Sequence, residues 1–263
     1  YFGNPACLAQ SPQLYKQMGV VSDLERVFEI GPVFRAEKSL TPRHLCEFTG
    51  LDLEMAFYEH YFEVVDVICE MFGFIFEKLN EKFSKEIEAV RKQYPFEDFV
   101  FKAEVPKIKF AEACEMLKEI GLEQDPLKDL ETKNEEALGQ LVKEKFGTDF
   151  FVVYNYPIEA RPFYSMINPN DTEYTNSYDF FMRGQEILSG AQRIHDPVML
   201  AERARSKDVP PETIQDYIDC FQYGALPHAG GGIGLERVLK LFLGIHNIRK
   251  CSMFPRDPKR LTP

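Results

Sequence analysis

The chain has 263 residues, 44% hydrophobic and 28% charged, which allows one large core or two modest ones and excludes disorder and collagen-like repeats. Its 31 basic and 42 acidic residues leave a net charge of −11 and a pI near 5.1, so any contact with nucleic acid has to be local. The most apolar stretch, 64–76, is interrupted by Asp66 and Glu70, short of the roughly 18 to 20 apolar residues of a membrane helix, and no membrane partner is expected. Six cysteines are dispersed without a CxxC pair, and only His44, beside Cys46, lies near one. That spacing argues against zinc and a disulfide framework and fits a reducing, cytoplasmic setting. The sequence begins at Tyr1 with no initiator Met and no leader, which predicts a piece of a longer chain.

Residues 26–57 read as two extended segments, VFEIGPVFRAE and LCEFTGLDLEMAF, joined by the polar KSLTPRH. Their alternation predicts an antiparallel pair with a long connection. Over 58–90, Phe62, Val65, Ile68, Phe72, Phe76 and Leu79 recur three or four apart, one face of a long helix. The charge-rich 102–146 region holds two short helical patterns, each closed by a glycine. The segment from about 82 to 146 is therefore expected to be a peripheral helical insertion without chemistry of its own. Strand character returns at DFFVVYNYP, SYDFFMRG and EILSGAQRI, and helices are expected at 198–205 and 213–221 before glycines open a last apolar helix. Strands occur in runs with helices apart from them, which predicts an α+β fold, an antiparallel β-sheet flanked by helices.

Three segments could carry chemistry. On strands, Arg35 and Glu37 share one face and Phe48, Gly50 and Asp52 another; paired, they form a wall for a small polar ligand with a flat ring, or else a surface hairpin whose charges bridge to neighbours. Asp179 and Glu186 flank a turn at Gly184 and either converge on a hard cation such as Mg²⁺ beside phosphate oxygens or decorate an exposed hairpin. Arg193 lies seven residues beyond Glu186, so sharing one face requires a bulge, expected at Ser189 and Gly190. In PHAGGGIGLERVLKLFLG, glycines at 230, 231, 232 and 234 leave room for close approach of a ligand. This is no dinucleotide fingerprint, since no strand is expected before it and Leu235 stands where a third glycine belongs.

Together, FRAE at 34–37 and GGGIGLER at 230–237 resemble the second and third motifs of the class II aminoacyl-tRNA synthetases. QSPQLYKQ, LDLEMAF, EILSGAQRIHDP and MFPRDPKRLTP are similar, within that class, to the aspartyl-tRNA synthetases of eukaryotic cytosol and their archaeal relatives. The resemblance covers nearly all of 1–263 and implies the class II catalytic fold, with the first motif and the anticodon-binding OB domain upstream of Tyr1, and a homodimer. It implies ATP and L-aspartate as substrates, tRNA(Asp) as acceptor and Mg²⁺ as cofactor. An aspartyl-adenylate would form with release of pyrophosphate, and the aspartyl group would pass to the 3′ end of the tRNA.

Carried over by position, Lys16 and Arg193 would hold the substrate's side-chain carboxylate, and Asp52, with Ser11 and Gln13, the α-ammonium. Arg35 would clamp the α-phosphate, Glu37 would accept from the adenine amino group, Phe48 and Arg237 would sandwich the ring, and His44 would approach the outer phosphates. Glu186 and Asp179, assisted by Ser189, would bind Mg²⁺. Arg35 and Arg237 are the residues expected to be catalytic. Related readings are an asparaginyl-tRNA synthetase, an ammonia-dependent asparagine synthetase on the same fold, and a regulator without activity. The charge of Lys16 favours aspartate over an amide, on the expectation that Lys16 and Arg193 face the ligand uncompensated.

Overall fold

The alternation over 26–57 is realised as β1 (Arg26–Phe34) and β2 (Glu47–Ala56), paired antiparallel with Glu29 opposite Asp52 and Gly31 opposite Gly50. The computed structural model describes residues 1–3 and 5–262. Ahead of β1 stands a short helix, α1 (Gln13–Gly19), and after β2 the apolar 3.6 period forms α2 (Phe62–Lys82). The long helix expected over 58–90 is two: Phe83 leaves helical geometry, and α3 (Ser84–Gln93) continues in a new direction. That break lets Ile87 and Val90 return to the core under α2.

The following region adds β3 (Lys107–Lys109), α4 (Phe110–Glu119) and α5 (Thr132–Phe146). Gly147 closes α5 in the left-handed conformation, which glycine adopts without Cβ strain. Then come β4 (Phe150–Tyr154), β5 (Ser177–Met182), β6 (Gln185–Gln192), α6 (Pro197–Ser206), α7 (Gln215–Cys220), β7 (His228–Gly234) and α8 (Leu235–Phe242). Among the described residues the strands form a seven-stranded sheet in the order β1-β2-β7-β6-β5-β4-β3. Every neighbouring pair is antiparallel except the three-residue edge strand β3 with β4, so the expected antiparallel sheet flanked by helices is present, with one short parallel edge that makes it mixed. The glycine run is corrected: His228–Gly234 is a central strand between β2 and β6, not a loop. Its glycines defeat β propensity, yet full pairing on both edges satisfies its backbone.

Each face of the sheet has its own cover. On one, Leu51, Met55, Ala229, Ile233, Leu188, Tyr178, Phe180 and Phe150 pack with Val65, Ile68, Phe72 and Phe76 of α2 and Val238 and Leu241 of α8. On the other, Phe151, Val153 and Phe181 pack with α4 and α5 through Phe110, Leu117, Leu138 and Val142. The half built from β6, β7 and β2 is covered at one end by α1 and α7, where Tyr217 donates to Gln17 and Gln17 meets His228, and stays open over the remainder. Among the described residues no helix is long and apolar enough to cross a membrane, and the six cysteines are free thiols.

A Cβ added to Gly190 would lie 2.3 Å from the Tyr178 ring and 2.6 Å from the Gly230 carbonyl, with backbone on one side and a buried ring on the other. Gly190→Ala should therefore cost about 1–3 kcal/mol by overpacking. Gly73→Ala in α2, with nothing within 4 Å of its Cβ, should stabilise by roughly 0.5–1 kcal/mol. Denaturant unfolding of both variants beside wild type checks the pair, and equal midpoints would contradict the packing described.

Candidate active site

The open half of the sheet forms a floor because its residues are too small to fill it. Across the strands, Gly50 pairs with Gly234, Asp52 with Gly232 and Glu54 with Gly230, while β6 sets Ser189 against Gly232 and Ala191 against Gly230. Glycine is required at 230, where a Cβ would come within 2.1 Å of the Leu53 carbonyl and 2.3 Å of Glu54 Oε2. The glycines of β7 thus make room first for the carboxylates of β2, and only Gly232 and Gly234 also border the cavity. That cavity measures about 270 Å³ and is lined by Ser11, Gln13, Arg35, Glu37, His44, Phe48, Asp52, Glu186, Ser189, Arg193 and Arg237. Eleven of the thirteen side chains singled out in the sequence line it, and the other two touch a lining residue directly, Asp179 through Arg161 and Lys16 through Asp52.

Lys16 is buried below Asp52. Its ammonium donates to Asp52 Oδ1 at 3.1 Å and to the carbonyls of Leu53 and Gly231, both at 3.2 Å, and lies 3.5 Å from Glu54 Oε2. Arg193 in turn grips Glu54 through Nε at 2.9 Å and Nη2 at 3.0 Å. Burial pulls the Lys16 ammonium below its ordinary range despite the Glu54 and Asp52 charges. Burial also works against the ionised Glu54 carboxylate, but Arg193 and Lys16 outweigh it and hold the group below the usual range. Two cations therefore already have two anions, which corrects the expectation that Lys16 and Arg193 face the ligand uncompensated. The signal was available, since Asp52 and Glu54 stand two apart on one strand and share a face.

What remains for a ligand is the Nη1 side of Arg193, which borders the cavity and has no partner among the described residues, and Asp52 Oδ2. Behind them runs a chain that the sequence did not suggest. Gln17 Oε1 accepts from Gln13 Nε2 at 2.9 Å and from the Tyr217 hydroxyl at 3.0 Å, and Gln17 Nε2 meets His228 Nε2 at 3.1 Å. These contacts lock α1, and Gln13 with it, against α7 and β7.

At the other end, Arg35 stands just beyond β1 with its guanidinium carbon 5.3 Å from the Phe48 ring centroid. Arg237 projects from the first turn of α8, donating to the Glu186 carbonyl at 2.9 Å and the Arg43 carbonyl at 3.3 Å. His44 is held by a 2.6 Å contact with Thr41 Oγ1, and burial lowers its pKa. Glu37 lies below the usual carboxylate range because the Ser39 amide donates to it. Arg43 pairs at 2.8 Å with Glu135 of α5. The 82–146 segment is therefore neither wholly helical nor merely peripheral: β3 extends the sheet and Glu135 anchors the loop that carries His44. Sequence separation of 92 residues hid that contact.

Glu186 and Arg193 do share a face, as the parity argument required, and Ser189, with Asp179 opposite it, lies on that face too. The extra residue that brings this about is Ile187, since β5 runs Phe180 opposite Leu188 but Phe181 opposite Glu186, so the bulge lies two positions before the one expected. Asp179 is not free: Arg161, another residue the sequence did not point to, spans both its oxygens at 2.9 and 2.6 Å and reaches Ser189 Oγ at 2.6 Å. The Glu186 carboxylate receives no hydrogen bond from the described residues, and burial, then the Asp179 charge, push it up to about 8. Among the described residues no cluster of three or more His, Cys, Asp or Glu is arranged to hold a metal. Two carboxylates and a hydroxyl beside a cavity nevertheless suit Mg²⁺, which keeps several waters and takes one or two carboxylates together with substrate phosphates.

Residues 1–258 match the family model for class II tRNA synthetases (D, K and N). Over all 263 residues the chain is 59% identical to the cytoplasmic aspartate–tRNA ligase of Mus musculus, covering 52% of it, and it spans about half the length of the curated relatives it matches. An aspartyl-tRNA synthetase structure from Entamoeba histolytica superposes with a TM-score of 0.95 at 52% identity, over 97% of this chain and 53% of that one. An asparaginyl-tRNA synthetase from Pyrococcus horikoshii, complexed with asparaginyl-adenylate, superposes with a TM-score of 0.88 at 33% identity, over 100% of this chain and 59% of that one. With this match, the seven-stranded sheet and a cavity on its glycine-floored face, the chain belongs to the class II tRNA synthetases of the D, K and N group.

Proposed function

We propose that the chain is the catalytic domain of an aspartate–tRNA ligase of the cytoplasm, activating L-aspartate with ATP and passing it to the 3′ end of tRNA(Asp). The observation that carries this is the polarity of the cavity. One end has a guanidinium edge at Arg193, fixed by Glu54, beside the free oxygen of Asp52. The other has Arg35, Phe48 and Arg237 around a slot for a flat ring. Curated relatives named for aspartate stand at 56–59% identity and solved aspartyl-tRNA synthetases at 47–52%, whereas solved asparaginyl-tRNA synthetases stand at 26–33%, which supports aspartate over asparagine.

In this reading Arg193 takes the side-chain carboxylate by charge-assisted bonds, and Asp52, with Gln13 and Ser11, takes the α-ammonium. Lys16 acts from below, keeping Asp52 ionised and oriented. Phe48 and Arg237 sandwich adenine, Glu37 accepts from its amino group, and His44 meets the outer phosphates. The aspartate α-carboxylate then attacks the α-phosphorus in line, expelling pyrophosphate. Arg35 neutralises the charge that grows on the phosphoryl oxygens, so positioning and electrostatics do the work without a covalent protein nucleophile. Glu186, Asp179 and Ser189 would hold Mg²⁺, which adds to that neutralisation when bound. A ribose hydroxyl of the tRNA then attacks the aspartyl carbonyl and AMP leaves. The outer strand β1 leaves Phe28 and Ile30 exposed at 73% and 59%, a surface that supports the homodimer.

Aspartate-dependent exchange of pyrophosphate into ATP tests the first step. Arg35→Ala should lower its turnover about 10²- to 10³-fold, and Arg35→Lys should restore little, because a point charge does not reproduce the fork; near-normal exchange by either variant would remove Arg35 from the mechanism. Arg193→Lys keeps a cation for Glu54 but has no second edge for a ligand. The ratio of kcat/KM for aspartate over asparagine should fall about tenfold or more, and an unchanged ratio would mean that Arg193 does not read the side chain.

A further inference from the structure

Arg161 has no part in the reaction as described, yet its guanidinium lies on the oxygens assigned to the metal. It follows a short helical turn at Ile158–Ala160, is buried, and stands 3.9 Å over the Tyr156 ring. Nη1 donates to Asp179 Oδ1 and Ser189 Oγ, and Nη2 to Asp179 Oδ2. Its Nε finds no hydrogen-bond partner among the described residues, so the side chain is placed for the Asp179–Ser189 pair at the expense of a donor. A divalent ion on those same oxygens would sit close to a positive guanidinium and repel it.

From this juxtaposition we propose that Arg161 is the resident counter-cation of the metal-free site. It covers Asp179 and Ser189 until the ion arrives, and it keeps affinity for the free ion low. The ion then enters with the nucleotide, whose phosphates add the negative charge that lets two cations share the site. Glu186, which Arg161 does not touch, remains the first carboxylate open to the incoming ion. The proposal rests on the reading of Asp179, Glu186 and Ser189 as metal ligands.

Mn²⁺ titration of the purified protein, followed by the electron paramagnetic resonance of the free ion, tests it without any turnover. Without nucleotide, Arg161→Met should bind Mn²⁺ about tenfold or more tighter than wild type, and the gain should vanish in Arg161→Met with Asp179→Asn. Arg161→Lys keeps the charge but does not span both carboxylate oxygens and the hydroxyl, so it should fall between the two and serves alone if the Met variant does not fold. With a non-hydrolysable ATP analogue present, which lowers the free-ion signal by itself, protein-bound Mn²⁺ is instead read by equilibrium dialysis against the analogue alone, and the wild type should retain it readily. Equal or weaker binding by the variants would overturn the proposal and leave Arg161 as a structural partner of Asp179. Failure of every form to bind Mn²⁺ even with the analogue would overturn the metal assignment itself, and the proposal with it.

Discussion

Two positive and two negative side chains are buried together on one face of the sheet of this protein, and the order of the strands is what brings them close enough to cancel. Moving an ion out of water costs several kcal/mol even after relaxation, and only close, well-bonded partners offset it. Lys16 comes from α1, Asp52 and Glu54 from β2, and Arg193 from just beyond β6. Strand β7 separates β2 from β6, so the pairs meet only because that strand offers glycines where side chains would otherwise intrude. Removing one charge would leave another buried without a partner, which is why the cluster acts as a unit rather than as four separate contacts.

The same smallness that admits the carboxylates leaves a cavity. One face of the sheet is closed by Phe72, Phe76 and their neighbours, and dense aromatic packing there supplies the apolar burial. The opposite face is closed by α4 and α5 over Phe151, Val153 and Phe181 and by α1 and α7 over His228, and is open between them. Where they stop, polar groups at the margin turn inward: Glu135 reaches Arg43, and Arg161 reaches Asp179. Stability and site are therefore divided between the two faces of one sheet, so the polar face can be rebuilt for ligands while the aromatic core stays intact.

Buried charge also sets what the site can do chemically. Arg193 is held by Glu54 through two of its donors, so its remaining edge is fixed in direction before any ligand arrives, and little rotamer freedom is left to lose. Asp52 is treated likewise by Lys16. At the opposite end Arg35 is exposed and its guanidinium stands over the face of Phe48, an arrangement suited to a group that must close on a large, charged ligand. A rigid end for a small ligand and a looser end for a large one fit the proposed reaction, in which one amino acid is selected before a triphosphate and an RNA terminus are handled.

Much of this was legible in the residues. Periods of two and of 3.6 located β1, β2, β4, β5, β6 and the apolar face of α2, because burial acts residue by residue along a local element. Motif spacing brought out Arg35, Phe48, Asp52, Glu186, Arg193 and Arg237, and parity required a bulge before Arg193. Local pattern carries no information on partners distant in the chain, and there tertiary structure decided. It made the glycine run a strand, since pairing on both edges outweighs poor propensity. Lys16 went behind Asp52, on the cavity side of the sheet, because Glu54 and Asp52 lie opposite glycines. The bulge fell at Ile187, where Phe180 and Phe181 change partners, and Arg161 and Glu135 joined the site across long loops. Each of these depends on which charge meets which at close range, and that is settled only when the strands have taken their order.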